Sequence, residues 1–419
     1  MAPVGKLGHL ESLRGLAALA VVATHLVWAF AQPPPPAKPT QPEWPTGVAT
    51  LRGVPQLAAK ILYWPVKQGR LAVFVFFALS GVVLAQSYLN SGRVTDLQSA
   101  TLRRHLRLAV PAVASSVLAW GLWAGGCRRT TEAAEVLRTA GVPTQWFTLV
   151  EQPPTPSLIG AVREAGFDLY FAPNPLAPLA LHNPVLWTMR VEFFGSLVVF
   201  AFLGVFGPHR RVLMLAAGTA VLFALAGRVE MALFPAGVAV AVAARRGVWF
   251  PTYIGLTAVV LGLYLGGNYG AYDPRLTGRY KPGEPGCAAG AVLIVAAVTL
   301  TPWLGRVLRW RPMVWLGSIS FGLYLVHLLV ILTAGAGVLA DVMPRRGWGW
   351  AVIAASVVTV ALSLIGGWAM TYVADRPAVW LGRRFAAWVL GRPPRLESLA
   401  PVADNAGTSS VTPAVWGRT

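Results

Sequence analysis

Long stretches without a single charge set the terms for this chain. Gly290 to Thr301 and Ala351 to Thr371 contain no Asp, Glu, Lys or Arg, and a helix needs about 20 mostly apolar residues to cross a bilayer. Backbone polar groups in lipid must bond within their own segment, so such stretches fold as helices. Apolar blocks fall near 13 to 31, 70 to 89, 106 to 126, 184 to 206, 211 to 227, 229 to 244, 251 to 268, 286 to 303, 313 to 336 and 348 to 374. They predict an all-α, polytopic membrane bundle of about ten transmembrane helices. Charged residues make up 12% of the chain, against about 25% in an ordinary soluble domain, which excludes a soluble globular fold of this length.

A net charge of +19 raises the question of nucleic acid, but a nucleic-acid binder gathers its basic residues on one soluble face. Here Arg103-Arg104, Arg210-Arg211, Arg245-Arg246 and Arg383-Arg384 sit between apolar blocks, the pattern of loops held on the cytoplasmic side. The sequence therefore predicts a multi-pass protein with both termini cytosolic and no nucleic-acid partner. The run Leu16 to Ala31 with its Ala29-Phe30-Ala31 ending imitates a signal peptide. Arg14 and His25, at a spacing that matters below, argue for a retained first helix. Cys127 and Cys287 are too few for a disulfide framework or a zinc site. With this topology both fall on the outer side, where a bond between them is chemically permitted.

Two outer segments are long. Residues 32 to 69 open with Pro33-Pro34-Pro35-Pro36 and read as a polyproline spacer; residues 127 to 183 contain Trp146-Phe147 and are placed to cover a site from above. Residues 1–390 form the membrane domain. The polar tail 391–419 reads as a disordered cytosolic extension.

Within the helices, the ionisable residues are few and patterned. Arg14 and His25 lie eleven residues apart, which puts them on nearly one helix face about 16 Å apart. His25 then falls past the midplane, where an ionisable residue marks a functional site or an interhelical hydrogen bond. The block from 184 carries Leu186-Trp187-Thr188-Met189-Arg190-Val191-Glu192, with Glu192 counted to a depth similar to that of His25; the alternative is a local pair with Arg190. The block from 313 adds Ser318, Ser320, Tyr324 and His327, the last three along one stripe. Polar groups at one depth on three helices argue for a lined cavity. A basic layer of Arg14, Arg103, Arg104, Arg107 and Arg376 lies at the cytosolic helix ends. Topology alone explains most of it, yet guanidinium groups also pair phosphates bidentately.

Five motifs in order resemble acyltransferase family 3: Arg14 and His25 separated by ten residues; Phe76-Phe77-Ala78-Leu79-Ser80-Gly81; Arg103-Arg104-His105-Leu106-Arg107-Leu108-Ala109-Val110-Pro111; Leu186-Trp187-Thr188 through Glu192; and Leu316-Gly317-Ser318-Ile319-Ser320-Phe321-Gly322-Leu323-Tyr324-Leu325-Val326-His327. The resemblance spans roughly residues 8 to 385. Asp375-Arg376-Pro377 departs from the family's Glu-x-Pro, which leaves the role of Asp375 open, and Arg190 precedes the glutamate. The long outer loops resemble the fungal branch, whose members often decorate secondary metabolites.

The resemblance implies an integral-membrane O-acyltransferase that uses acyl-CoA, acetyl-CoA among the candidates, as co-substrate and holds no bound cofactor or metal. Its acceptor is a hydroxyl of a small molecule, secondary metabolite or glycan. His25 is the expected general base, and Glu192 its orienter or a group that positions the acceptor. Arg14, Arg103, Arg104 and Arg107 are expected to hold donor phosphates, and Ser80, Tyr324 and His327 to donate to the developing oxyanion. The rival reading is a secondary transporter or proton-coupled channel that uses Arg14, His25 and Glu192 as a relay. The absence of an internal repeat counts against it.

Overall fold

The computed structural model describes residues 8–31, 68–142, 144, 146–147, 157–173, 181–207, 211–267 and 284–391. The expected polyproline spacer and, from residue 392, the expected tail lie outside them. The described chain is helical: α1 Gly8–Phe30, α2 Gly69–Ser91, α3 Val94–Ala124, α4 Thr130–Thr139, α5 Leu158–Arg163, α6 Trp187–Phe206, α7 Val212–Leu225, α8 Val229–Arg245, α9 Thr252–Gly267, α10 Glu284–Leu300, α11 Pro302–Val307, α12 Arg311–Val330, α13 Ala336–Arg346, α14 Trp348–Met370 and α15 Arg376–Val389. Single π-helical turns join α12 to α13 at Ile331–Gly335 and α14 to α15 at Thr371–Asp375, and a third, Glu164–Asp168, extends α5.

Every apolar block of the sequence is a helix, but the blocks differ in reach. Six helical stretches are long and apolar enough to cross a membrane: Gly8–Phe30, Gly69–Ser91, Val94–Ala124, Pro184–Phe206, Arg311–Arg346 and Trp348–Val389. The apolar helices α7, α9 and α10 are shorter, at 14, 16 and 17 residues, or roughly 21 to 26 Å at helical rise. The lipid-facing character of α7 and α9 is nevertheless plain, while α10 is largely buried within the bundle. Met214 and Leu222 on α7 are 70% and 68% exposed, and Tyr253 and Val260 on α9 are 70% and 67% exposed, a density of bare apolar surface that marks contact with lipid rather than water.

Lipid outside the bundle removes the usual hydrophobic drive for helix association, so close backbone approach takes its place. A Cβ on Gly317 of α12 would lie 2.1 Å from the Glu11 carbonyl oxygen of α1, and one on Gly15 would lie 2.7 Å from the Gly317 amide nitrogen. The same device joins α2 to α8, where a Cβ on Gly237 would meet the Ala78 carbonyl oxygen at 2.1 Å. These contacts hold α1 between α2 and α12, with Arg14 and His25 against the polar stripe of α12.

The connection between α3 and α6 is pinned by a buried cluster. The His182 backbone N–H donates to Glu164 Oε1, and His182 Nδ1 lies 3.0 Å from Glu164 Oε2. Just beyond, the Asn183 side chain donates to the Leu325 carbonyl of α12. The stretch leading into α6 is thereby strapped across the middle of α12. Both cysteines are free thiols, Cys127 exposed and Cys287 buried, so the bond that outer placement would permit is absent.

Candidate active site

A cavity of about 300 Å³ opens among α1, α2, α3, α6 and α12. One part of its wall is apolar, formed by Val73, Phe76, Phe77, Leu79, Met189 and Phe321. The rest is ionic and hydroxylic: Arg14, Arg104 and Arg107 face Glu11, Glu192 and Asp375, with Ser80, Thr188, Ser318, Ser320 and Tyr324 among them. Helical spacing brings these groups together. Glu11 precedes Arg14 by three residues on α1, and Thr188 precedes Glu192 by four on α6, so each pair shares a face.

The arginines fall into three classes. Arg104 is buried; it donates through Nε to Ser196 Oγ at 2.9 Å and pairs with Glu192 Oε1. Ser80 Oγ donates to the same carboxylate oxygen at 2.5 Å. Arg14 and Arg107 line the cavity and make no hydrogen bond or ion pair among the described residues. Arg103 and Arg376 do not line it. Arg103 donates to the Ser99 carbonyl and packs against Gly382 of α15, while Arg376 stacks on the Tyr372 ring, 3.9 Å from its centroid. Within α3, Pro111 supplies no N–H for the Arg107 carbonyl, so the helix is loosened where the arginines leave it.

Glu192 has an open side. Its Oε1 accepts from Ser80 and Arg104, and Oε2 carries no hydrogen bond among the described residues. The alternative pair with Arg190 does not form, because Arg190 donates to the Ala172 carbonyl and lies over the Phe194 ring. Asp375, at the end of the π-turn after α14, reaches the cavity with a buried Oδ1 that has no hydrogen-bond partner among the described residues. A π-turn rotates the residues after it relative to a continuous α-helix, and such turns recur at functional sites.

His25 does not line this cavity and makes no bond to Glu192. Its Nδ1 lies 2.9 Å from the Val21 carbonyl oxygen and 3.4 Å from His327 Nε2. Its ring meets Trp28 edge-on at 5.5 Å and Trp146, from the connection between α3 and α6, at 6.4 Å between centroids. His327 is fully buried and its Nδ1 is 2.7 Å from the Tyr324 carbonyl oxygen. Two layers result, joined at Tyr324, which lines the cavity and whose ring lies 5.8 Å from that of His327.

The expected oxyanion donors are already engaged. The Ser80 proton goes to Glu192, the Tyr324 hydroxyl donates to the Val185 carbonyl at 3.0 Å, and His327 uses Nδ1–H on Tyr324. Thr188 Oγ1, 3.0 Å from the Tyr324 oxygen, completes this network. Sequence reasoning passed over Thr188 and Glu11 as site residues, although their helical offsets from Glu192 and Arg14 would have found them.

The profile of a family described as an acyltransferase domain matches residues 8–368. The chain belongs to acyltransferase family 3. Its relatives include the acyltransferase clz18 of Cochliobolus lunatus, 26% identical over 66% of this chain and 71% of its own length. The acyltransferase R4 of a Phoma species is 23% identical over 84% of this chain and 86% of its own length. Both are fungal, as the outer loops suggested. No solved structure matches the chain. A multi-pass acyltransferase that moves groups other than aminoacyl groups is therefore the activity of this family member, and the transporter reading falls away.

Proposed function

We propose that the protein is a membrane-bound O-acyltransferase that moves an acyl group from a coenzyme A thioester to a hydroxyl of a small molecule, secondary metabolite or glycan. The observation that carries this reading is the cavity, with an apolar wall on one side and, on the other, two guanidinium groups, Arg14 and Arg107, that make no hydrogen bond or ion pair among the described residues. Guanidinium forks match phosphate oxygens, and the apolar wall suits a pantetheine arm and acyl chain. Arg104 takes a different part, holding Glu192 so that Oε2 faces the acceptor. In the chemical step, His25 Nε2 takes the proton of the acceptor hydroxyl as its oxygen attacks the thioester carbonyl. The tetrahedral intermediate collapses with cleavage of the C–S bond, and His25 returns the proton to the departing thiolate.

The same reading sets the topology. About ten spans, with the shorter helices accommodated by local thinning of the bilayer, put both termini in the cytosol. The Arg14 end of α1 then faces the cytosolic acyl-CoA pool, and His25 the outer half.

The test is purified protein in detergent with acetyl-, butyryl- and palmitoyl-CoA, supplied with a panel of sterols, polyols and sugars. Release of free CoA thiol coupled to appearance of an ester is expected for at least one donor. Absence of thioester cleavage with every donor and acceptor overturns the proposal.

A further inference from the structure

The tautomers of the two facing histidines are fixed by their backbone contacts. A carbonyl oxygen only accepts, so the Nδ1 of His25, 2.9 Å from the Val21 oxygen, carries the proton. The same argument places a proton on Nδ1 of His327, 2.7 Å from the Tyr324 oxygen. Neutral His327 is then bare at Nε2, and that lone pair points at the His25 Nδ1–H across 3.4 Å, with ring centroids 5.1 Å apart. His25 keeps a bare Nε2 with no hydrogen-bond partner among the described residues. The N–H that orients His25 is shared between a carbonyl and a second imidazole, with no carboxylate bonded to either ring among the described residues.

We propose that His327 is a positioning residue for His25: its Nε2 accepts the His25 Nδ1–H, fixes the tautomer that leaves His25 Nε2 open to substrate, and stabilises the imidazolium formed during transfer. The inference rests on the proposed role of His25 as base. His327 exchanges no proton. When His25 Nε2 gains the hydroxyl proton, the positive charge spreads over the ring, and the Nδ1–H becomes a stronger donor to both acceptors. The 3.4 Å contact is the resting length, and bonds of this kind tighten when the reacting complex forms. In serine hydrolases a buried carboxylate performs the orienting and charge-stabilising work behind the histidine; here two neutral acceptors divide it. This reading also explains the committed Nδ1–H of His327, since the Tyr324 carbonyl turns the ring so that Nε2, not a donor, faces His25.

Two amides separate this role from a purely structural one. Glutamine places an oxygen near the position of Nε2, whereas asparagine can keep the Nδ1-like donor to the Tyr324 carbonyl and leaves nothing at Nε2. With the fastest acyl-CoA of the panel above, His327→Gln is expected to stay within about threefold of wild-type kcat. His327→Asn and His327→Phe are expected to lose about 10- to 100-fold in kcat, the worth of a hydrogen bond to a charged group. The KM for acyl-CoA should not move in any of them. His25→Ala with His327→Asn should be no slower than His25→Ala alone.

The reverse ranking, Asn active and Gln inactive, overturns the proposal in favour of anchoring to Tyr324. Equal activity of all three variants, or equal loss, also overturns it. Should the Asn protein fail to elute as a folded monodisperse species, the Gln variant decides alone, and a loss beyond tenfold counts against the proposal. An active His25→Ala protein would instead sink the general-base reading, while an inactive one with indifferent His327 variants sinks only the partnership.

Discussion

The cavity around Arg14 and the layer around His25 share α1, α12 and the Tyr324 side chain, yet they are made of opposite materials. Three guanidinium groups and three carboxylates line the cavity, and only one pair among them, Arg104 with Glu192, is joined by a salt bridge. In the histidine layer, two imidazoles and two indoles meet, and among the described residues every polar contact of the imidazoles runs to a carbonyl or to the other ring. A charged donor needs fixed countercharges and space. Proton transfer needs a neutral imidazole whose one tautomer is locked. On the proposed reading, separating the two keeps the guanidinium field off His25, and Tyr324 is the seam.

The largest effect expected from breaking this division lies at Arg104. Because it and Glu192 are 8% and 15% exposed at their side chains, Arg104→Ala leaves a part-buried carboxylate without its charged partner, a loss of about 3 kcal/mol, the lower end for a buried pair. Thermal melting in detergent should drop sharply. An unchanged melt with a raised acyl-CoA KM would return Arg104 to the phosphate-binding set. Next comes His25→Ala, which should insert and fold normally yet lose about 10²-fold or more in kcat; activity within a few-fold of wild type breaks the assignment of chemistry to the histidine layer.

Arg14→Ala is expected to raise the acyl-CoA KM about tenfold or more with kcat little changed, the pattern of lost ground-state binding, and Arg14→Lys should keep much of the affinity. A pure kcat loss would place Arg14 in the chemistry and blur the two layers. Smaller still, Arg103→Ala should stay within about twofold in both parameters, because Arg103 bonds its own helix and faces α15. The last test leaves activity alone. A membrane-impermeant maleimide should label exposed Cys127 from the outer face and spare buried Cys287. Labelling of Cys127 from the cytosolic face only would invert the topology and turn the Arg14 cavity away from the cytosolic donor.

Much of this was legible along the chain. Each of the ten apolar blocks falls in helix, because lipid and backbone chemistry leave an apolar stretch no other fold, and six helical stretches among the described residues are long enough to cross a membrane. Arg14, Ser80, Arg104, Arg107, Glu192 and Tyr324 do meet at one cavity, since helical offsets from motif residues carry them to common faces. Reach was legible in part: α7, α9 and α10, at 14, 16 and 17 residues, nearly fill apolar blocks that were already short in the sequence.

What the sequence by itself determined is the material of the protein: helices, membrane, and which residue types each helix presents to its neighbours, because periodicity and burial in lipid act locally. Tertiary structure decided the partnerships. Nothing along the chain says that Glu192 takes Arg104 rather than Arg190, or that His25 turns to His327 rather than to Glu192. Those choices depend on glycine contacts such as Gly15 against Gly317, which set the distance and rotation between helices hundreds of residues apart, and hydrogen bonds decay over tenths of an ångström.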